Sequence, residues 1–248
     1  MRPTGGQPYQ FETKEKALAT GNMCYPDGFG ETVKVKEVWL KMELTNIEEF
    51  DKYTIKTFIE EDPEDPRAWD NLCIMKCSHN RYNLGDEQIN SDNFDGWEQI
   101  HEYLRKEEKA ILINPLYLYD HSGITISITP FGCRWDSGQV GFIYTTKEMI
   151  KKNFDIKRVT NKYLKQAADI LKDEVKIYDN YLTGEVYRYV ITENIPVKKI
   201  IMTVGNNIGT RQILEEETTT QEKVIESCSG FFGDSINEEI KEVKQRLI

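Results

Sequence analysis

The segment from Leu116 to Tyr144, LYLYDHSGITISITPFGCRWDSGQVGFIY, constrains the fold of this chain more than any other part of its sequence. Apolar residues alternate with polar ones on both sides of the tetrapeptide at 120–123 (DHSG), namely Leu116 and Leu118 before it and Ile124, Ile126 and Ile128 after it. A period of two is typical of β-strands with one buried face, so the pattern predicts a β-hairpin. Its polar residues then lie at turns, where functional side chains concentrate, although Asp, Ser and Gly are also ordinary turn residues.

The rest of the chain divides into short segments with the period of a strand or of a helix. Alternating or largely apolar runs predict strands at 33–44, 53–60, 71–79, 110–119, 123–129, 139–144, 185–191, 199–204 and 222–232. Apolar residues three and four apart predict helices at 94–109, 147–153, 161–182 and 237–247. Ser91 or Asp92 is the expected cap of the first helix, and Thr160 and Gly184 flank the third. Runs of strands broken by single helices predict an α+β fold, with a mainly antiparallel sheet and a few packed helices.

Domain organisation is predicted from the N-terminal composition. The first residues are rich in Gly, Pro and polar side chains and show no clear period. We therefore predict an irregular N-terminal arm together with the first strand at 1–45, followed by a single α+β domain at 46–248. A separable C-terminal hairpin unit is the alternative partition.

The charge balance and the apolar pattern disfavour two classes of protein. The 248 residues include 32 Lys and Arg against 42 Asp and Glu, a net charge of −10, which disfavours broad, non-specific nucleic-acid binding but leaves room for a local basic patch. No run approaches the roughly 18 consecutive apolar residues of a membrane span, and the N-terminus lacks the apolar region of a signal peptide. Five scattered cysteines fit reduced thiols better than a disulfide framework. We predict a cytoplasmic protein that does not contact a membrane.

A metal site is one interpretation of the cysteines and histidines. Cys77 and His79 are two residues apart on a predicted strand, so their side chains share a face, and His121 and Cys133 would complete a Cys2His2 zinc set. The spacing argues against a standard zinc module, because such modules hold their ligands in tight knuckles. The preferred interpretation is that the cysteines are small buried apolar residues and that the histidines form hydrogen bonds in turns. We therefore predict no cofactor, with zinc as the alternative.

A second interpretation treats the loops as a catalytic site. Cys133 would be the nucleophile, His121 the base, and Asp136 or Asp120 the carboxylate that orients the imidazole. Glycines on both sides of Cys133 would let backbone N–H groups approach a developing oxyanion. However, no predicted helix begins after Cys133, and a helix N-terminus is the usual means of stabilising a thiolate.

Two Trp-Asp pairs, Trp69-Asp70 and Trp135-Asp136, suggest either strand ends that bury an indole or a binding pocket. A pocket with aromatic walls and a carboxylate floor would suit a cationic or sugar-like ligand. The turn interpretation is preferred, because such turns are common. The candidate binding residues are Trp69, Asp70, Arg81, Asp120, Trp135 and Ser137.

Four motifs together resemble a known family. They are residues 65–86 (DPRAWDNLCIMKCSHNRYNLGD), 116–144, 178–191 (YDNYLTGEVYRYVI) and 226–234 (ESCSGFFGD). Their order and spacing resemble those of a family of uncharacterised proteins that bacteriophages and other mobile elements encode. The resemblance covers roughly residues 60–235, and the arm at 1–45 and the stretch around 206–221 depart from it.

The resemblance implies an intracellular accessory protein and transfers no catalytic residues. Such proteins commonly act against host defence or redirect host machinery by binding a host protein or protein–nucleic acid complex. An acidic surface would suit a basic, nucleic-acid-binding target, such as a host defence nuclease complex, so the chain is an anti-CRISPR candidate. The alternative is a small Cys/His-dependent hydrolase or metal-dependent enzyme built on the loops of His121, Cys133 and Asp136.

Overall fold

Two antiparallel-rich sheets and four helices make up the part of the chain that the structure describes. This structure is a computed structural model, and it describes residues 43–204 and 211–248. The strands are β1 (Leu44–Phe50), β2 (Tyr53–Ile59), β3 (Ile74–Cys77), β4 (Glu87–Gln88), β5 (Ala110–Asp120), β6 (Ile124–Ser127), β7 (Ser137–Thr146), β8 (Val186–Val204) and β9 (Arg211–Phe232). The α-helices are α1 (Trp97–Lys106), α2 (Lys147–Phe154), α3 (Asn161–Thr183) and α4 (Ser235–Arg246).

The first sheet has the order β1-β2-β8-β9, and all its neighbours are antiparallel. Strand β2 pairs with β8 from Tyr187 to Glu193, whereas β8 and β9 remain paired as far as Val204 and Arg211. The distal parts of β8 and β9, residues 194–204 and 211–221, therefore form a two-stranded extension beyond the sheet. We call this extension the β-ribbon.

The second sheet has the order β4-β3-β7-β5-β6, in which β3 and β4 are parallel and the other neighbours antiparallel. Its central strand β7 contains an almost continuous apolar run from Val140 to Tyr144, all of it buried. Such runs occur where both faces of a strand are covered. Here α3 covers one face of the sheet and α1 covers the other.

Three hydrophobic clusters fill the spaces between these layers. The largest joins the second sheet to α3, through residues such as Leu116, Ile143 and Leu171. A smaller cluster packs α1 against the opposite face of that sheet, and a third packs α4 against the first sheet. The apolar residues three and four apart on each helix are the ones that enter these clusters, as amphipathic packing requires.

A buried ion cluster fastens α3 to the segment that precedes β3. Arg67 is 9% exposed and donates hydrogen bonds to Glu174 on α3 at 3.1 Å, to Asp86 at 2.7 and 3.1 Å, and to the carbonyl of Cys73 at 2.7 Å. Glu174 also accepts from the backbone N–H groups of Leu72 and Cys73. Burial raises the pKa of Glu174, and these hydrogen bonds oppose that shift. The buried ion pair of Arg67 and Glu174 is tolerated because the hydrogen-bonding groups of both side chains have partners.

The α+β prediction with a mainly antiparallel sheet is confirmed. The four predicted helices are present, and Gly184 ends α3 in the left-handed conformation with φ of 76°. The expected cap of the first helix was wrong: α1 begins after Gly96, and residues 91–93 form a separate 3-10 turn whose cap is Asn90. The predicted strands at 185–191 and 199–204 are parts of the single strand β8.

The predicted domain division stays a prediction. Most of the proposed arm at 1–45 and of the strand at 33–44 lies outside the described residues, as do 205–210 of the divergent stretch. The first described strand, β1, extends across the proposed boundary after residue 45. Within the described parts of the chain, none of the helices is both long enough and apolar enough to cross a membrane.

Candidate functional site

Most of the predicted site residues lie together at one end of the second sheet. The turn between β5 and β6, the loop before β7 and the loop after β3 meet there. We call this group the loop cluster, and its members are Arg81, Asp120, His121, Cys133, Trp135, Asp136 and Ser137. The pairing of Tyr119 with Ser137 and a 2.8 Å hydrogen bond from the Asp120 N–H to the Asp136 carbonyl bring the loops together.

The turn of the β5–β6 hairpin places His121 beside the β7 loop. Its tight geometry needs backbone angles that side chains rarely adopt, with φ of 60° at Ser122 and 152° at Gly123. Glycine tolerates such angles without steric cost, which explains why the tetrapeptide ends in Gly. The His121 side chain is 65% exposed and lies on the solvent side of the turn.

The Asp136 carboxylate is the centre of the hydrogen bonds in the loop cluster. Its Oδ2 atom lies 3.5 Å from Nδ1 of His121 and 3.5 Å from Sγ of Cys133, whose thiol donates to it. The Ser137 hydroxyl donates to the carbonyl of Cys133 and closes the loop on itself. The candidate residues His121, Cys133 and Asp136 therefore converge, although they come from two different loops.

A second carboxylate, Asp120, connects the loop after β3 to the same end of the sheet. It forms an ion pair with Arg81 and accepts a 3.3 Å hydrogen bond from the hydroxyl of Tyr82. His79 stacks on Tyr82 with 5.0 Å between ring centroids, and its Nδ1 accepts from the backbone N–H groups of Arg81 and Tyr82. His79 thus stabilises the loop that presents Arg81.

The arrangement of the candidate catalytic residues differs from that of a cysteine hydrolase. In such enzymes the imidazole lies between the thiol and the carboxylate, so that it can take the thiol proton. Here the Asp136 carboxylate lies between Cys133 and His121. The imidazole is not placed to take the thiol proton, so the order of the three groups gives little support for a nucleophilic Cys133.

The four residues of the predicted zinc set do not form a ligand group. Cys77 is fully buried in the largest hydrophobic cluster, and burial raises the pKa of its thiol to about 12. His79 belongs to the turn described above. Among the residues that the structure describes, no group of three or more His, Cys, Asp or Glu side chains is arranged to hold a metal ion.

The two Trp-Asp pairs have different surroundings. Trp69 packs edge-on against Phe232 with ring centroids 5.4 Å apart, and Asp70 lies 3.6 Å from Lys152, so this pair is separate from the loop cluster. Trp135, by contrast, is 95% exposed. Its indole has no ring contact or hydrogen bond with any described residue.

Two aromatic residues that the sequence patterns did not single out lie next to the loop cluster. Tyr119 lies between His121 and Phe131, with ring centroids 6.1 and 5.7 Å away. The alternation of β5 placed Tyr119 on a strand, but no local pattern relates it to Phe131. That contact depends on the path of the loop before β7.

The comparisons with known proteins identified no relative of this chain. No family model matches the chain, and neither a curated protein nor a solved structure is significantly similar to it. The fold and the loop cluster therefore define this molecule as an α+β protein that presents polar and aromatic loops at one end of a sheet. The resemblance to proteins of mobile elements stays a prediction.

Proposed function

We propose that this chain is an accessory protein of a bacteriophage or another mobile element, and that it acts by binding a host protein through the loop cluster. The observation behind the proposal is the exposure of Trp135, which is 95% accessible at the tip of a hydrogen-bonded loop. Tryptophan, tyrosine and arginine are the residues that most often dominate the energy of protein interfaces. Trp135 and Arg81 place two of these residue types in the loop cluster.

The loop cluster is held in shape before any partner arrives. The hydrogen bonds of Asp136 and Asp120 join its three loops, and Ser137 closes the loop that carries Trp135. A preorganised surface loses less conformational entropy on binding than a mobile one, so more of the contact energy remains as affinity. An indole held in this way can enter a pocket of a partner as an anchor residue.

The charge of the chain favours a basic partner. With a net charge of −10, the protein would repel nucleic acid and attract a protein that itself binds nucleic acid. A host defence nuclease complex is such a partner, and occupying its nucleic-acid-binding surface would protect the mobile element. We therefore propose counter-defence in the host cytoplasm as the biological role.

The proposal is tested by replacing Trp135 and following both binding and protection. The chain is expressed in bacteria that carry a nuclease-based defence system, and phage plating is counted. Trp135→Ala should abolish protection and weaken binding to the purified complex by about 2 kcal/mol or more, as removal of an anchor does. The matched control is Ile47→Ala, which removes another exposed apolar side chain, 50% accessible and on β1.

Equal protection by the wild type and the Trp135→Ala variant, at equal expression and thermal stability, would contradict binding through the loop cluster. Protection lost equally in the Ile47→Ala variant would show that the loop cluster has no special role. Absence of any protection by the wild type, across defence systems of different nuclease types, would contradict counter-defence itself.

The enzyme alternative keeps one supporting observation, the convergence of His121 and Cys133 on Asp136 at 3.5 Å each. It predicts that Cys133→Ala abolishes the biological effect without lowering the melting temperature. The binding proposal predicts that this variant retains full protection, because the exposed Trp135 indole, and not the thiol, is the proposed anchor. The same plating assay separates the two.

A further inference from the structure

A basic segment interrupts this acidic chain between the start of α2 and the first turns of α3. Residues 147–165 contain seven Lys and Arg side chains against Glu148 and Asp155, a net charge of +5, whereas the rest of the chain carries −15. We call these seven residues the basic patch, and they are Lys147, Lys151, Lys152, Lys157, Arg158, Lys162 and Lys165. The proposed function does not use them, so the inference below is independent of it.

The basic patch lies at the opposite end of the second sheet from the loop cluster. Strand β7 begins at Ser137, a residue of the loop cluster, and α2 follows directly after its last residue, Thr146. The ten residues of β7 cover about 30 Å at roughly 3.3 Å per residue. At the far end, the ring centroids of Phe154 on α2 and Tyr163 on α3 are 5.3 Å apart. The end of α2 and the start of α3, which carry the basic residues, are therefore neighbours.

The charges of the basic patch are accessible and are not neutralised by neighbouring carboxylates. Lys151 is partly exposed and the other six residues are exposed. Lys152 forms an ion pair with Asp70 at 3.6 Å, and this aspartate is itself 92% exposed. The remaining six form no ion pair with a residue that the structure describes. Accumulated like charges of this kind produce a local positive potential, even on a protein with a negative net charge.

Lys162 and Lys165 lie where positive charge lowers the stability of α3. The N-terminus of a helix carries a partial positive charge, so acidic residues are favoured in the first turn and cations are not. The first turn of α3 contains no acidic residue, and the side chain of Thr160 makes no capping hydrogen bond. Like charges three residues apart on a helix also repel each other. Residues that lower local stability are expected at functional sites, which favours a binding role for these lysines.

The apolar residues around the basic patch favour a nucleic acid over a membrane. Helices that lie on a membrane insert exposed apolar side chains into it. The apolar side chains of 147–165, such as Met149 and Leu164, pack instead in or against the largest hydrophobic cluster. Proteins that bind single strands stack the bases on aromatic rings, but Phe154 and Tyr163 pack against that cluster and against each other. Phosphate groups of a duplex require neither kind of contact.

We propose that the basic patch binds the phosphate backbone of double-stranded DNA without sequence preference. The eight residues of α2 extend over about 12 Å, a length along which duplex DNA carries several phosphates. Lysine supplies point charges for phosphate contacts, and such contacts do not read the bases. RNA duplexes are recognised largely through their 2′-hydroxyl groups, for which a lysine surface is poorly suited. The acidic remainder of the chain repels DNA, so the contact is confined to the basic patch.

The test is a titration of a short labelled DNA duplex with the full chain, followed by fluorescence anisotropy at several salt concentrations. With about four phosphates contacted, the affinity should fall about 150-fold between about 50 and 200 mM salt. The triple variant Lys157→Gln, Lys162→Gln and Lys165→Gln should bind at least about tenfold more weakly at the lower salt concentration and lose most of the salt dependence. All three residues are exposed, and the melting temperature should not fall, because the two helical lysines already disfavour α3.

The matched control is the triple variant Lys52→Gln, Lys106→Gln and Lys241→Gln. It removes the same number of exposed positive charges outside the basic patch, each from an ion pair of 2.8 or 2.9 Å. Its affinity for the duplex should match that of the wild type. The proposal fails if the control weakens binding as much as the first variant, or if the separated single strand binds more tightly than the duplex. It also fails if phosphatidylserine vesicles or polyglutamate bind the protein and the duplex does not.

Discussion

At the scale of single residues, the cysteines of the described chain divide into two chemical groups. Cys73 and Cys77 are 2% and 0% exposed, and burial raises the pKa of both thiols. Cys133 lies partly exposed in the loop cluster and Cys228 is exposed on β9. Because the thiolate is the reactive form and a reagent must reach it, this division has a direct chemical consequence.

We predict that a thiol reagent at pH 8 labels Cys133 and Cys228 in the native protein and labels Cys73 and Cys77 only after unfolding. Burial raises the pKa of Cys77 to about 12, so its thiolate is scarce at pH 8 even when a reagent approaches. Peptide mass spectrometry after timed alkylation assigns each site, with a urea-unfolded sample as the control. Labelling of Cys77 at the rate of Cys133 in the native state would contradict its placement in the core.

Sequence patterns could place the site residues at turns but could not bring them together. The alternation around residues 120–123 was sufficient to predict the hairpin that carries His121. The distance from His121 to Asp136 depends on how β5 and β7 pair, and that pairing contains a register shift between Leu116 and Tyr117. A bulge of this kind has no reliable local signature in a sequence. The sequence alone therefore gives the approach of His121 and Cys133 to Asp136 only as a hypothesis.

At the scale of the elements, β3 and β7 approach each other unusually closely at Gly141. A Cβ atom at this residue would lie 2.2 Å from the carbonyl oxygen of Lys76 and 2.9 Å from Cα of Cys77. Gly138, on the same strand, has no atom within 4 Å of the corresponding position. The two glycines of β7 therefore differ in what a methyl group would meet.

We predict that Gly141→Ala lowers the free energy of unfolding by about 3 kcal/mol or more, because the strands must separate to accommodate the methyl group. Gly138→Ala, the matched control, should change it by less than about 1 kcal/mol. Urea denaturation followed by circular dichroism measures both. Similar free energies for the two variants would mean that β3 and β7 are not packed as described.

The elements also show where sequence reasoning is strong and where it fails. Helix α3 was predicted to within one residue at its C-terminus, because its apolar period is long and Gly184 ends it. Strand β8 was divided into two predicted strands, since Pro196 and the following lysines interrupt the alternation. Proline is tolerated there because this part of β8 lies beyond the pairing with β2 and has β9 as its neighbour.

At the scale of the whole molecule, the side chains of the β-ribbon that the structure describes enter none of the three hydrophobic clusters. The residues of the three clusters lie outside 194–221. The portion of β8 from Asn194 to Val204 spans roughly 35 Å at about 3.3 Å per residue. We therefore expect that folding of the rest of the described chain does not depend on this extension.

We predict that the β-ribbon can be removed without unfolding the protein. Residues 196–220 are replaced by Asn-Gly, which joins Ile195 to its partner Gln221 through a two-residue turn. The melting temperature should change by less than about 4 °C, since the equivalent stability change is below about 1 kcal/mol. Differential scanning calorimetry checks this. A fall of about 10 °C or more would show that the β-ribbon packs against the body.

The length of the β-ribbon can change by insertion of residues without a change in the rest of the fold. In a two-stranded antiparallel extension, an insertion of two residues in each strand preserves which side chains face which way and lengthens the extension by about 6.6 Å. Single insertions reverse the faces and are disfavoured. Related proteins are therefore expected to differ in the length of the β-ribbon by steps of two residues in each strand. The sheets and helices of the remaining fold stay unchanged.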